Sequence, residues 1–381
     1  MAQAAESRAE AEQRQVGLRL RAAREAKGWN QEQVAGVLEL NDRQSISDIE
    51  TGRRALRPDE LVLLADALGH DVDFFLEPFS VVGEAGFSWR TAEGLSATAL
   101  ERFEAEAGRW IGMARWLWSR EHADPSPLRQ SLRVGSQTSF ELVQGQAEQL
   151  GRTLELGAVP AEPLADRIET RLKIPVFFVD IDTSRFGDAI SGAMCNLEDL
   201  RVILVNRNET EGRRNYDLAH ELFHALTWDA LPPSHRESNA TTLGNRGRRA
   251  EQLANNFAAA LLMPRAVLEA SVDRTQSQEP DVRRLVELAA RLRVTSAALA
   301  WRLFNLEWIN AQTRVRLADE RQVTSDTPRP KRYSSWFVGS LHRAIDAGTL
   351  SPRKAAKALA ISLEQLGDLC QEHGFTPAFD Q

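Results

Sequence analysis

The chain has little of what several protein classes require. It holds two cysteines, Cys195 and Cys370, in 381 residues. So sparse a supply argues against a disulfide framework and a cysteine-based metal site, and makes a reducing cytoplasm the simplest compartment. No apolar run approaches the roughly 18 residues that a membrane helix needs. The best, FAAALLMP at 257–264, is far too short. The opening MAQAAESRAEAEQRQ is polar and charged and has no apolar stretch of signal-peptide type. An excess of positive charge is also missing. The net charge of −7 argues against a generally sticky nucleic-acid binder. No repeat of solenoid period is visible.

What is present is ordinary for a soluble globular chain. Hydrophobic residues make up 43% and charged residues 27%. The length implies two or three domains. Charge is unevenly spread: residues 1–77 carry 10 Arg/Lys against 15 Asp/Glu, a balance of −5, whereas 313–381 carry 10 against 8, a balance of +2.

Residues 16–76 read as five short helices. Val16, Leu20, Ala23 and Ala26 recur at helical spacing, and Gly28 stops that helix. Asn30 and Gln33 form a capping box for the next helix. Asp42 is the expected N-cap of the third helix and Gly52 its stop. Residues 96–121 read as one long helix ending before DPSP at 124–127, and four of the nine tryptophans fall in 89–118, as in a buried, anchored connector. Two further helices are expected in 140–172. Then KIPVFFVDID (173–182), AISGAMCN (189–196) and RVILVN (201–206) read as three strands of a small sheet. Helices resume at 212–228, 247–262 and 281–310. TSDTPRPKR (324–332) is a polar linker, and a helical pair closes the chain. The expected fold is mainly α with a small β-sheet, an α+β class. Its expected division is 1–78, a connector at 79–139, 140–312, and a C-terminal helical domain at 313–381.

One stretch carries chemistry: NYDLAHELFHALTWDA, Asn215 to Ala230. His220 and His224 lie just over one helical turn apart, so they project from one face and can grip one ion. Two imidazoles and a third ligand suit Zn2+ and leave one position for water. Glu221 sits one step round the helix, where it reaches that water as a general base. Such a motif also arises by chance, as three polar residues on an ordinary helix. The surrounding apolar face (Leu218, Ala219, Leu222, Phe223, Leu226) argues that the histidines do not dangle in solvent. The candidate third ligand is Glu251, which begins a second helix. Its bland alternative is a surface carboxylate that suits a helix start. His235, in a polar loop, is an oxyanion candidate whose commoner counterpart is a solvated histidine. Tyr216, one turn before His220, more often packs than donates to substrate.

VILVNRNETEGRRNYDLAHELFHAL followed by EQLANNFAAALLMP resembles the ImmA/IrrE family of metallopeptidases, over about 145–310. The resemblance implies a zincin-like domain, with His220, His224 and Glu251 as zinc ligands and Glu221 as base. Phe223 departs from the family pattern, which usually has glycine there. Near the N-terminus, Gln31, Ala35, Ile46, Ile49, Glu50, Gly52, Arg53, Leu61 and Ala65 resemble the XRE family of Cro-like helix-turn-helix modules. That likeness implies a second helix crossing the DNA backbone and a third in the major groove. Gln31 would then contact phosphate, Arg43, Gln44, Ser45 and Ser47 would face base edges, and Arg53 with Arg54 would lie near the backbone. The blander alternatives are that Gln31 merely caps a helix and that Arg53 merely pairs with Glu50. The −5 balance weakens the attraction to phosphate. The rival reading is therefore protein binding, as a homodimer or on a partner repressor.

These readings together imply a cytoplasmic transcriptional regulator with a zinc endopeptidase domain. Its substrate would be a repressor or antitoxin-like protein, cleaved to switch on a stress, mobile-element or defence response. The alternatives are a non-cleaving transcription factor whose zinc domain senses a ligand, and an antitoxin acting by contact.

Overall fold

Helix ends in the N-terminal module follow from a few capping residues. The structure is a computed structural model that describes residues 2–40, 42–91, 95–121, 131–181, 190–237, 245–272, 280–320 and 328–376. Five helices open it: α1 (Ala2–Ala26), α2 (Gln31–Val37), α3 (Gln44–Glu50), α4 (Pro58–Leu68) and α5 (Val72–Leu76). Asn30 and Gln33 make both bonds of the expected capping box, at 2.9 and 2.8 Å. Gly28 and Gly52 take positive φ where α1 and α3 stop. The start of α3 differs by a residue. Arg43 occupies the N-cap position, while the Asp42 carboxylate accepts from the Ser45 N–H at 2.9 Å. Leu20, Val34, Ile46, Ile49, Leu64 and Phe75 close one core. Gly17 lets α1 cross α3, because a Cβ there would stand 2.1 Å from the Ile49 carbonyl oxygen.

The sheet that follows has five strands: β1 (Gly86–Thr91), β2 (Val176–Val179), β3 (Ile190–Asn196), β4 (Arg201–Asn206) and β5 (Arg236–Glu237), in the order β2-β4-β3-β1-β5. β2 runs parallel to β4, β3 is antiparallel to both of its neighbours, and β5 runs parallel to β1. Both faces are covered. Val202 and Leu204 of β4 enter one core, and Ile203 and Val205 enter the other. Double burial explains why the Val202–Val205 run is continuously apolar instead of alternating.

One face of the sheet carries α7 (Phe140–Thr153), α8 (Leu164–Arg167, continued by a π turn over Ile168–Leu172), α9 (Glu211–Thr227), α10 (Asn245–Leu262), α11 (Arg265–Glu269), α12 (Val282–Arg291), α13 (Ser296–Asn305) and α14 (Ala311–Asp319). The other carries α6 (Ala97–Glu121) and the C-terminal α15 (Ser335–Asp346), α16 (Pro352–Leu359) and α17 (Leu363–Glu372). The chain is thus a mainly helical α+β protein with a small mixed sheet. Two details differ from expectation. The helix expected over 281–310 is broken, because Arg293 takes φ +54° and Thr295 caps α13. Residues 86–91, expected within a helical connector, form β1. The expected breaks at 124–127 and 324–327 lie outside the described residues.

Glu169, in the π turn, accepts from the Val176 N–H at 2.9 Å and so anchors the start of β2. Burial pushes its carboxyl up to about 7, against the opposing pull of that bond. A carboxyl raised in the fold contributes stability below its ordinary range that is lost as pH climbs through about 7. The urea midpoint of the unmodified chain should therefore fall between pH 5 and pH 8, and Glu169→Gln should flatten that fall. Parallel slopes for the two proteins would refute this.

Candidate metal centre

Every residue of α9 from Asp217 to Thr227 is buried. A helix interred on all sides is normally apolar, yet this one carries Asp217, His220, Glu221 and His224. Burying such groups without partners is costly, so their surroundings must compensate. His220 and His224 are 1% and 0% exposed, so neither dangles in solvent.

The three donor groups converge. His220 Nε2 and His224 Nε2 are 3.1 Å apart. Glu251, on α10, brings one carboxylate oxygen to 3.2 Å from His220 Nε2 and the other to 3.5 Å from His224 Nε2. Zinc–nitrogen and zinc–oxygen bonds of about 2.0–2.2 Å imply tetrahedral ligand–ligand edges of roughly 3.3–3.5 Å, so the observed spacings fit one zinc ion. Ala250, Ala254 and Ala258 of α10 are buried in the core. The Glu251 side chain keeps 19% exposure, unlike a solvated helix-start carboxylate.

One turn beyond Glu251, Asn255 places Oδ1 3.1 Å from His220 Nδ1. An amide oxygen there accepts from Nδ1–H, which fixes the tautomer and leaves the Nε2 lone pair for metal. The Tyr216 hydroxyl donates to the Asn255 carbonyl at 3.0 Å, tying α9 to α10. Burial, first among the causes, pushes this phenol up to about 12, so it stays a donor at neutral pH. Asp217 is buried and pairs with Arg90 of β1 at 3.3 Å. A cleft of about 820 Å³ opens alongside, lined by Arg90, Tyr216, Asp217, Gln252, Asn255 and Trp301 among others.

Glu221 is fully buried and faces β3. A Cβ at Gly192 would lie 3.6 Å from its Cγ, so the strand passes close over the base. Phe223 points into the core, 5.5 Å from the Phe257 ring, where it adds packing. His235 is 60% exposed and pairs with Glu104 at 2.8 Å, at the sheet edge. Asn255, Asp217, Arg90 and Gly192 escaped the sequence reading. Only Asn255, four residues after Glu251, carried a usable signal.

The nucleic-acid candidates occupy one end of the N-terminal module. Arg43, Gln44 and Arg53 are exposed, and Ser45 and Ser47 are half-buried on α3. Arg53 pairs with Asp48 at 2.9 Å and not with Glu50. Glu50 is taken by Arg24, at 2.6 and 3.1 Å. The Gln31 amide donates to Glu50 at 2.9 Å, which leaves its second N–H for another acceptor.

The fold is that of a helix-turn-helix module joined to a metallopeptidase-like domain. Residues 170–304 match the family model of the IrrE N-terminal-like domain, and residues 15–73 match a helix-turn-helix domain. The chain therefore carries an IrrE N-terminal-like peptidase domain behind an XRE-like helix-turn-helix. No curated protein matches it. The apo form of the competence regulator ComR from Streptococcus vestibularis is similar at 13% identity, over 96% of this chain and 99% of that one. Its TM-score is 0.17, too low to carry an argument. No helix among the described residues is long and apolar enough to cross a membrane.

Two substitutions probe the site. His224→Ala should abolish zinc retention, read by elemental analysis of the purified chain. Asn255→Ala should keep all three ligands yet weaken zinc binding by about 10–100-fold in a chelator competition. Unchanged affinity would show that the Asn255 contact does not orient His220.

Proposed function

We propose that this chain is a transcriptional regulator whose centre hydrolyses a peptide bond in a protein partner. The observation that carries the proposal is the buried convergence of His220, His224 and Glu251 beside Glu221. Zinc held by those three side chains would supply Lewis acidity and lower the pKa of a water towards neutrality. Glu221 takes the proton of the attacking water and passes it to the departing amine, so that one C–N bond breaks and one C–O bond forms. Asn255 holds the His220 ring in register. A repressor or antitoxin-like protein is the substrate class best suited to a peptidase joined to a DNA-binding module. Its loss would switch on a stress, mobile-element or defence response.

The helix-turn-helix domain supports DNA binding. We assign the base contacts to Arg43, Gln44, Ser45 and Ser47, and the backbone contacts to Gln31 and Arg53. Asp42 and Asp48 flank that surface, so the net attraction to phosphate is modest and selectivity rests on α3. Full burial of His220, Glu221 and His224 favours one competing reading, a zinc domain that senses a signal without cleaving.

Glu221→Gln separates the two readings. It should retain about one zinc per chain while cleavage of co-encoded proteins, followed by mass spectrometry, falls at least 100-fold, the lower end for loss of a general base. Equal cleavage by both proteins would sink the mechanism, and no cleavage by the unmodified chain would favour the sensor. For DNA, selection from a random duplex library should enrich one sequence. Arg43→Ala should relax its specificity, whereas Arg53→Ala should lower affinity uniformly and reduce the salt slope by about one.

A further inference from the structure

The strand that passes over Glu221 is not an edge of the sheet. β3 is covered along its length by β1, with Gly86 opposite Asn196, Phe87 opposite Cys195, Ser88 opposite Met194, Trp89 opposite Ala193 and Arg90 opposite Gly192. β1 lies outside residues 170–304, in the segment that joins the helix-turn-helix module to the peptidase-like domain. Take β1 away and β3 becomes an outer strand. Its N–H and C=O groups would then face the space beside the metal ligands, the kind of edge to which an extended peptide adds.

β1 meets the metal-bearing stretch of the chain at its two ends. At one end, a Cβ on Gly86 would stand 2.7 Å from the Trp228 ring, just past the end of α9. At the other, Arg90 reaches Asp217, one turn before His220. Four strand steps span about 14 Å. Eleven helix steps span about 16 Å, so β1 and the stretch from Asp217 to Trp228 are nearly matched in length. Alternation sends Phe87 and Trp89 into the second core and turns Ser88 and Arg90 to the α9 side. The register slips between Arg90 and Thr91, opposite Gly192, where an added Cβ would lie 3.6 Å from the Glu221 Cγ. The near-complete burial of His220, Glu221 and His224 agrees with a path already filled.

We propose that β1 is an internal occupant of the peptide-binding edge. The segment between the two modules lies where a substrate strand must lie to reach Glu221, and the centre opens when β1 leaves β3. The proposal rests on the reading of this site as peptide-cleaving.

The test uses the whole 381-residue chain loaded with zinc, and one native thiol. Phe87→Cys places a cysteine opposite Cys195, which is buried and unpaired as a disulfide. Antiparallel partners fall within the Cα separation that a disulfide spans. Oxidation should lock β1 in place and reductant should free it. Zinc transfer to a colorimetric chelator and hydrolysis of casein are measured in both states, and for Ser88→Pro, which removes an N–H from β1. The oxidised Phe87→Cys protein should release zinc at least tenfold more slowly than its reduced form and leave casein intact. Ser88→Pro should release zinc faster than the unmodified chain and cleave casein at least tenfold faster. Failure of the disulfide to form, or identical zinc release and hydrolysis in both redox states, would overturn the proposal. Zinc release that follows the redox state while casein survives in every form would uphold β1 as the occupant and remove the peptidase reading instead.

Discussion

Taking His220, His224 and Glu251 out of water at one point is the constraint on which the rest of this structure depends. Two imidazole nitrogens 3.1 Å apart, with a carboxylate against both, make a donor set whose natural complement is a divalent cation. Holding that set requires α9 to be enclosed from Asp217 to Thr227, and Asn255 to fix the His220 tautomer. The sheet supplies the wall, with Gly192 of β3 passing close over the Glu221 side chain. Few of these features would be needed for a helix that only filled a core.

The two modules are not beads on a string. Arg19 of α1 donates to the Phe75 and Ser80 carbonyls at 2.7 and 3.0 Å. Arg115 of α6 pairs with Glu84, just before β1. The connector thus leaves the helix-turn-helix core, grips α6 and enters the sheet as β1. The C-terminal helices α15–α17 join α6 in the core on the far face of that sheet. A movement of the N-terminal module would be felt first by β1, the strand paired with β3.

Much of this was legible in the residues. The capping box of Asn30 and Gln33, the stops at Gly28 and Gly52, the helix over 97–121 and the apolar strands are local signals that survived folding. The helix pairing His220 with His224 is equally local, because four residues make one turn. Glu251 was legible through a second pattern in the chain. Less visible were β1 and β5. GFSWRT has no hairpin partner nearby, and β3, with which it pairs, lies far along the chain. Periodicity registers neighbours in sequence and is silent about such a pairing. The break at Arg293 was missed for a related reason, since a non-glycine residue at positive φ leaves no mark in composition.

The sequence by itself determined the donor types, their spacing on one helix and the presence of a helix-turn-helix, because each depends on residues within a turn or two of one another. Only the tertiary structure decided that Phe223 packs against Phe257 away from the site, that Asn255 orients His220, that Arg53 pairs with Asp48, and that the connector covers β3. Those outcomes depend on which distant surfaces meet as the core closes. Burial and contact across the fold, not local preference, settle them.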